Sequence, residues 1–120
     1  MSFQKDFIFG VSTAAFQIEG ATNEDGRTPS IWDTFCKEDG RVFGNHNGDI
    51  ACDNYHRYKE DIAIMKDLGV DSYRFSVSWP RIYPKKDFYN EKGMQFYKDV
   101  LSELKRQGIS AVITLYHWDL

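Results

Sequence analysis

Three side chains in this 120-residue sequence, Gln17, His117 and Trp118, are of types that could meet a neutral, hydroxyl-rich ligand, and a fourth, Arg74, is of a type that could receive a carboxylate. Gln17 lies just past an apolar run, and its amide offers both donors and an acceptor, the complement of vicinal hydroxyls on a sugar. The alternative is an amide that ties down its own loop. His117 and Trp118 stand together at the end of a β-rich run and put a polar group beside an aromatic platform. Sugars use both, although a strand-end imidazole is also easily satisfied locally, and a tryptophan taken alone reads as core. Arg74 sits in the alternating stretch Ser72 to Trp79, where Tyr73, Phe75, Val77 and Trp79 form an apolar face. Ser72, Arg74, Ser76 and Ser78 form a face of small hydroxyls and one guanidinium. In an α/β barrel the second face lines the interior, so a buried Arg74 requires a carboxylate to receive it.

Other ionisable and thiol groups read as structural. Glu19 has no second carboxylate at a suitable spacing and is expected to be a structural partner rather than a catalytic acid. Cys36 and Cys52 lack the close pairing of zinc or redox sites, and they read as buried or idle thiols. His46, His56 and His117 are scattered over different segments, so no metal site is expected. No cofactor is implied.

The elements that position these residues are legible from periodicity. Tyr55, Tyr58, Ile62 and Met65 recur on one face of a helix from about Asp53 to Leu68, ended by Gly69. Met94, Tyr97, Leu101 and Leu104 form the stripe of a second helix from about Glu91 to Gln107, with Asn90 as N-cap and Gly108 as its end. A β-rich run follows each glycine: Ser72 to Trp79 after the first, Ala111 to Trp118 after the second. One helix-strand unit is therefore used twice, with an offset of 39 that matches Gly69 to Gly108 and Trp79 to Trp118. An earlier strand is expected at about Ile8 to Thr13.

The order strand, long loop, helix, strand, helix, strand requires parallel strands and an α/β architecture. The run from Ala111 to Tyr116 is apolar on both parities, as in a strand covered on both faces. Residues 17–52, rich in glycine and asparagine, make a connection far longer than an ordinary βα loop. Part of it is expected to build a pocket and part to wrap the surface.

Composition narrows the classes of partner. With 42% hydrophobic and 16% aromatic residues the chain can build a core, and a net charge of -3 gives no footprint for nucleic acid or a membrane surface. The start has no continuous signal-peptide core or membrane span, so the cytoplasm is the expected location.

The stretch Phe-Ile-Phe-Gly-Val-Ser-Thr-Ala-Ala-Phe-Gln-Ile-Glu-Gly-Ala, residues 7–21, resembles the N-terminal signature of glycoside hydrolase family 1 position for position. Ser-Ile-Trp-Asp at 30–33, Gly-Asp-Ile-Ala-Cys-Asp at 48–53, Tyr-Arg-Phe-Ser-Val-Ser-Trp-Pro-Arg-Ile at 73–82 and Thr-Leu-Tyr-His-Trp-Asp-Leu at 114–120 are similar to further blocks of that family. The segment from Pro84 to Asn90 departs from it, being shorter and carrying Asp87, Phe88 and Tyr89 where glycines are common.

The resemblance implies the first three strands and two helices of a single (β/α)₈ barrel, left incomplete, since a full barrel takes about 250 residues. It implies a retaining β-glycosidase, most simply a β-glucosidase, acting on a small β-glucoside or cello-oligosaccharide. Gln17 and His117 become ligands of the glycone, Trp118 part of its wall, and Arg74 the partner that orients and ionises the nucleophile. The family's Asn-Glu-Pro acid/base motif and Glu-Asn-Gly nucleophile motif are both missing, so the chain by itself is expected to be inert and to need the remainder of the barrel. A 6-phospho-β-glycosidase of the same family, and a non-catalytic sugar-binding or structural piece, are the alternatives.

Overall fold

The structure is a computed structural model that describes residues 2–120. Its centre is a parallel sheet in the order β1-β2-β3, with β1 at Gly10–Ser12, β2 at Ser72–Ser76 and β3 at Ser110–Thr114. Val11 pairs with Tyr73, and Tyr73 with Ala111, so β2 is central and β1 and β3 are the edges.

Between β1 and β2 come the one-turn helix α1 (Ala15–Ile18), α2 (Ile31–Cys36), a 3₁₀ turn at Phe43–Asn45 and α3 (Asn54–Asp67). Between β2 and β3 come the short α4 (Trp79–Ile82) and α5 (Glu91–Gln107). Both long helices end within a residue of their expected positions. Gly69 and Gly108 take left-handed φ of 71° and 73° just past the helical residues, a conformation that a side chain disfavours. Asn90 precedes α5 as expected, but its side chain does not cap the helix. It donates instead to the carbonyls of Asp25 and Arg81 and so ties the long loop to α4.

Tyr73, Phe75 and Val77 turn their side chains toward α3 and α5, where Ile62, Phe96, Tyr97, Val100, Leu104 and Ile109 complete the buried core. The stripe of α5 is wider than Met94, Tyr97, Leu101 and Leu104 alone: Phe96 and Val100 lie deeper than Met94 or Leu101. The close approach of α5 to α4 requires a glycine, because a Cβ on Gly93 would stand 2.0 Å from the carbonyl oxygen of Arg81.

The sheet's other face differs from expectation. Val112 and Ile113 point to opposite faces of β3 and both are exposed, so neither apolar face of this edge strand is covered within the chain. Arg74 is likewise exposed rather than buried, since no element of the described chain crosses the face it shares with Ser12. Strands β2 and β3 are shorter than the expected runs. Pro80 supplies a helix start in place of a longer β2, so Trp79 belongs to α4 and the two tryptophans of the sequence repeat are not equivalent in space. The register also slips: Ser72 pairs with Ser110, one residue short of the repeat.

The long connection is ordered rather than open loop. A Cβ on Gly20 would meet the Ile50 carbonyl oxygen at 2.2 Å, so this glycine, at φ 66°, lets the two ends of the connection cross. Within it, Ser30 and Asp33 form a capping box at the start of α2. Among the described residues no helix is long and apolar enough to cross a membrane.

Candidate functional site

The carboxyl ends of all three strands open on one side. Backbone hydrogen bonds fix the chain where it leaves them, from Thr13 N to Arg74 O at 2.9 Å and from Val77 N to Thr114 O at 3.0 Å. The Ala15 N–H donates to Ser76 Oγ at 2.8 Å, which pins the first turn of α1 to the end of β2. Gln17 is therefore in a helical turn rather than in loose loop, and its side chain is exposed.

Above these strand ends lies an open cleft of about 420 Å³, lined by Ala14 to Gln17, Trp32, Ser76 and His117 to Asp119. Three of the four residues singled out from sequence, Gln17, His117 and Trp118, thus come together although up to 101 positions separate them in the chain. His117 is half-buried and Trp118 is 68% exposed, so Trp118 is not a core residue. Trp118 holds a left-handed φ of 71°, a costly conformation for a bulky side chain that neighbouring contacts must enforce.

Arg74 does not line the cleft. Its guanidinium donates to Ser12 Oγ at 3.3 Å and meets no carboxylate among the described residues. The requirement for an acidic partner, read from the strand pattern, is not met within this chain.

Among the cleft residues not singled out from sequence, three carry aromatic or acidic side chains: Phe16, Trp32 and Asp119. Their signal was present, because all three lie inside the blocks that resemble the family. Single-residue chemistry did not separate them from core. Phe16 and Trp32 lie with ring centroids 6.4 Å apart, and Phe16 is pressed against the backbone of Gly48.

Two buried ionic networks hold the cleft's floor and rim. Arg81 is fully buried, with Nε 3.1 Å from Glu19 and Nη2 donating to the carbonyls of Gly20 and Ala21. Its guanidinium carbon lies 4.2 Å from the Tyr55 ring centroid, and Nη1 has no hydrogen-bond partner among the described residues. Tyr97 donates to Glu19 at 2.6 Å and accepts from the Ser78 N–H at 2.7 Å. Burial pushes the Glu19 carboxyl above its ordinary range, with Arg81 and Tyr97 pulling against it. Burial and the neighbouring Glu19 keep the Tyr97 phenol protonated. Glu19 is thus the structural partner the sequence reading expected, and its partner is Arg81.

The second network fastens α2. Asp33 accepts from Arg27 at 2.7 Å and from the Ser30 N–H and hydroxyl at 2.7 and 2.8 Å. Burial works to raise its carboxyl, and these donors outweigh it and hold the pKa below the ordinary carboxylate range. Cys36 is half-buried and Cys52 exposed, and both are free thiols.

Ligand sites of α/β folds form outside the carboxyl ends of the parallel strands, and this cleft opens there, so fold and site together define the ligand-binding face of an α/β protein. Its lining of amide, imidazole and indoles suits a neutral ligand that carries both hydroxyls and apolar faces. Comparison with known proteins makes that class specific. The chain belongs to glycosyl hydrolase family 1, whose sequence profile matches residues 1–120. It is 57% identical to a β-glucosidase of Agrobacterium sp. (strain ATCC 21400) over 121 residues, covering 98% of this chain and 26% of that protein. It is 55% identical to the aryl-phospho-β-D-glucosidase BglC of Bacillus subtilis (strain 168), covering 99% and 25%. The crystal structure of the family's β-glucosidase from Exiguobacterium antarcticum B7 superposes with a TM-score of 0.97 at 59% identity, covering 100% of this chain and 27% of that one. The chain therefore spans about a quarter of the length of the relatives it matches, and its three parallel strands with their helices are part of a (β/α)₈ barrel.

Proposed function

We propose that this chain is the N-terminal portion of a retaining β-glucosidase that hydrolyses terminal β-D-glucosyl residues through a glycosyl-enzyme intermediate. The single observation that carries the reading is the convergence of Gln17, His117 and Trp118 on one cleft at the carboxyl ends of the strands. In this reading Gln17 and His117 hydrogen-bond the hydroxyls of the glycone, and Trp118 lies against its apolar face.

Retention requires two carboxyl groups about 5–5.5 Å apart, one as nucleophile and one as acid/base. Neither is contributed by Glu19, which is buried in its ion pair with Arg81. Both come from chain beyond this segment. Arg74, on the open face of the sheet, receives the nucleophilic carboxylate and keeps it ionised. Its lack of an acidic partner within the segment supports that assignment.

The experiment is hydrolysis of an aryl β-glucoside and of its 6-phosphate by a complete enzyme that carries this sequence. Preference for the unphosphorylated glucoside is the expected result. Preference for the phosphorylated one would move the assignment to a 6-phospho-β-glucosidase, a second reading supported by the 55% identity to the Bacillus subtilis enzyme. Hydrolysis of neither would refute the proposal.

A further inference from the structure

The chain has three tryptophans, Trp32, Trp79 and Trp118, and the buried residue Asp119 bonds to Trp79, follows Trp118 in the chain, and bonds to the residue before Trp32. Asp119 is 4% exposed and engages two other segments at once. Its Oδ2 accepts the backbone N–H of Trp79 at 3.0 Å, and its carbonyl oxygen accepts the N–H of Ile31 at 3.0 Å. Trp118 immediately precedes Asp119, and Trp32 immediately follows Ile31. The two indole-bearing residues that line the cleft therefore hang one residue away on either side of a single hydrogen bond.

The strain next door shows what this anchor does. Trp118 is held at φ 71°, which an unrestrained tryptophan would leave. The residue after it is bonded through both side chain and backbone, to α4 on one side and α2 on the other. Each of those elements has its own fixing: α2 through the Arg27–Asp33–Ser30 cluster, α4 through the buried Arg81. Asp119 has no cationic partner among the described residues, so its interactions are those of a hydrogen-bond acceptor rather than of an ion pair.

We infer that Asp119 is a positioning residue: its carboxylate holds the His117–Trp118 segment against the start of α4 while its backbone carbonyl ties the same segment to α2 beside Trp32, and so it fixes the width of the cleft that receives the sugar. The inference rests on the functional reading given above. It assigns Asp119 no contact with the substrate and no charge-dependent role. What matters is an acceptor oxygen at the right reach from the Trp79 N–H.

The test compares Asp119→Ala and Asp119→Asn in the complete enzyme, with tryptophan emission, thermal midpoint, and kcat and KM on an aryl β-glucoside as readouts. A misplaced wall costs transition-state alignment, so Asp119→Ala should lose about tenfold or more in kcat per folded molecule, with a shifted tryptophan emission. Asp119→Asn keeps an acceptor oxygen and should recover to within about threefold. A residue that serves only stability would lower the thermal midpoint and leave the kinetics of the folded enzyme unchanged, and that result would overturn the inference. Equal damage in the alanine and asparagine variants would overturn it too, since charge and not acceptor geometry would then be at stake. Should Asp119→Ala not fold, Asp119→Ser shortens the side chain beyond the reach of Trp79 and is read by the same outcomes. If the wild-type enzyme hydrolyses no aryl glucoside, the functional reading falls and takes this inference with it. If it does, an unaffected Asp119→Ala variant sinks this inference alone.

Discussion

Arg74 and Arg81 show how differently one residue type is used within ten positions of sequence. Arg81 is wholly buried and already has its carboxylate in Glu19, whereas Arg74 is exposed and has only a serine hydroxyl. Removing one member of a buried pair leaves the other charged and unsolvated, at a cost of roughly 3–5 kcal/mol. Arg81→Met should therefore destabilise the complete enzyme by about that amount in chemical denaturation. A loss below about 1 kcal/mol would show that the pair contributes little. Arg74 should behave in the opposite way, with stability nearly untouched and chemistry changed. As the proposed partner of the nucleophile it lowers that carboxylate's pKa, so Arg74→Met should shift the acidic limb of the pH–rate profile upward and slow glycosylation. Lysine should rescue only in part, because it keeps the charge and loses the planar fork. A methionine variant that folds normally and keeps both its rate and its acidic limb would make Arg74 a structural residue.

At the scale of elements, the helix contacts explain which parts of the fold were legible. Both long helices were readable because each has an apolar stripe at helical spacing and a glycine that takes a left-handed φ at its end. The limits of β2 and β3 were not, since Trp79 and Trp118 look alike in sequence, while Pro80 makes one a helix start and the other lies beyond β3 at a left-handed φ of 71°. Gln17, His117 and Trp118, which the structure brings to one cleft, could be picked out in the sequence because their side chains carry their chemistry openly. Trp32 and Asp119 stayed hidden because their role comes from what the loop and α2 bring beside them. The same is true of Gly93, an unremarkable helical glycine until α4 is laid against it. A methyl group there would enter the Arg81 carbonyl at 2.0 Å, and backbone cannot swing aside as a side chain can. Gly93→Ala should accordingly cost more than the 1–3 kcal/mol typical of overpacking, about 3 kcal/mol or more, despite the better helix propensity of alanine. A stabilised variant in thermal unfolding would mean that α4 and α5 are not packed this closely.

On the scale of the whole molecule, the chain is well packed on one side of its sheet and open on the other. Tyr73, Phe75 and Val77 are buried under α3 and α5, while Val112, Ile113 and Leu115 are exposed at or just beyond β3, and Phe3, Phe7 and Phe9 cluster exposed near the other end of the sheet's edge strand. Both edge strands also present unpaired backbone groups. The 120-residue chain on its own should therefore show a broad, weakly cooperative thermal transition by circular dichroism and a tendency to self-associate. A sharp transition in a monodisperse monomer would contradict this account of its architecture.

The claim on which the rest depends is that Gln17 and His117, gathered in the cleft beside Trp118, hold the hydroxyls of the sugar being hydrolysed. The direct measurement is kcat/KM on an aryl β-glucoside for Gln17→Ala and His117→Ala in the complete enzyme, with circular dichroism to establish that both fold. Each variant should lose about 2 kcal/mol of transition-state binding, roughly thirtyfold in kcat/KM, as lost hydrogen bonds to a buried ligand do. Wild-type efficiency in both folded variants would contradict the account and return the two residues to a structural role.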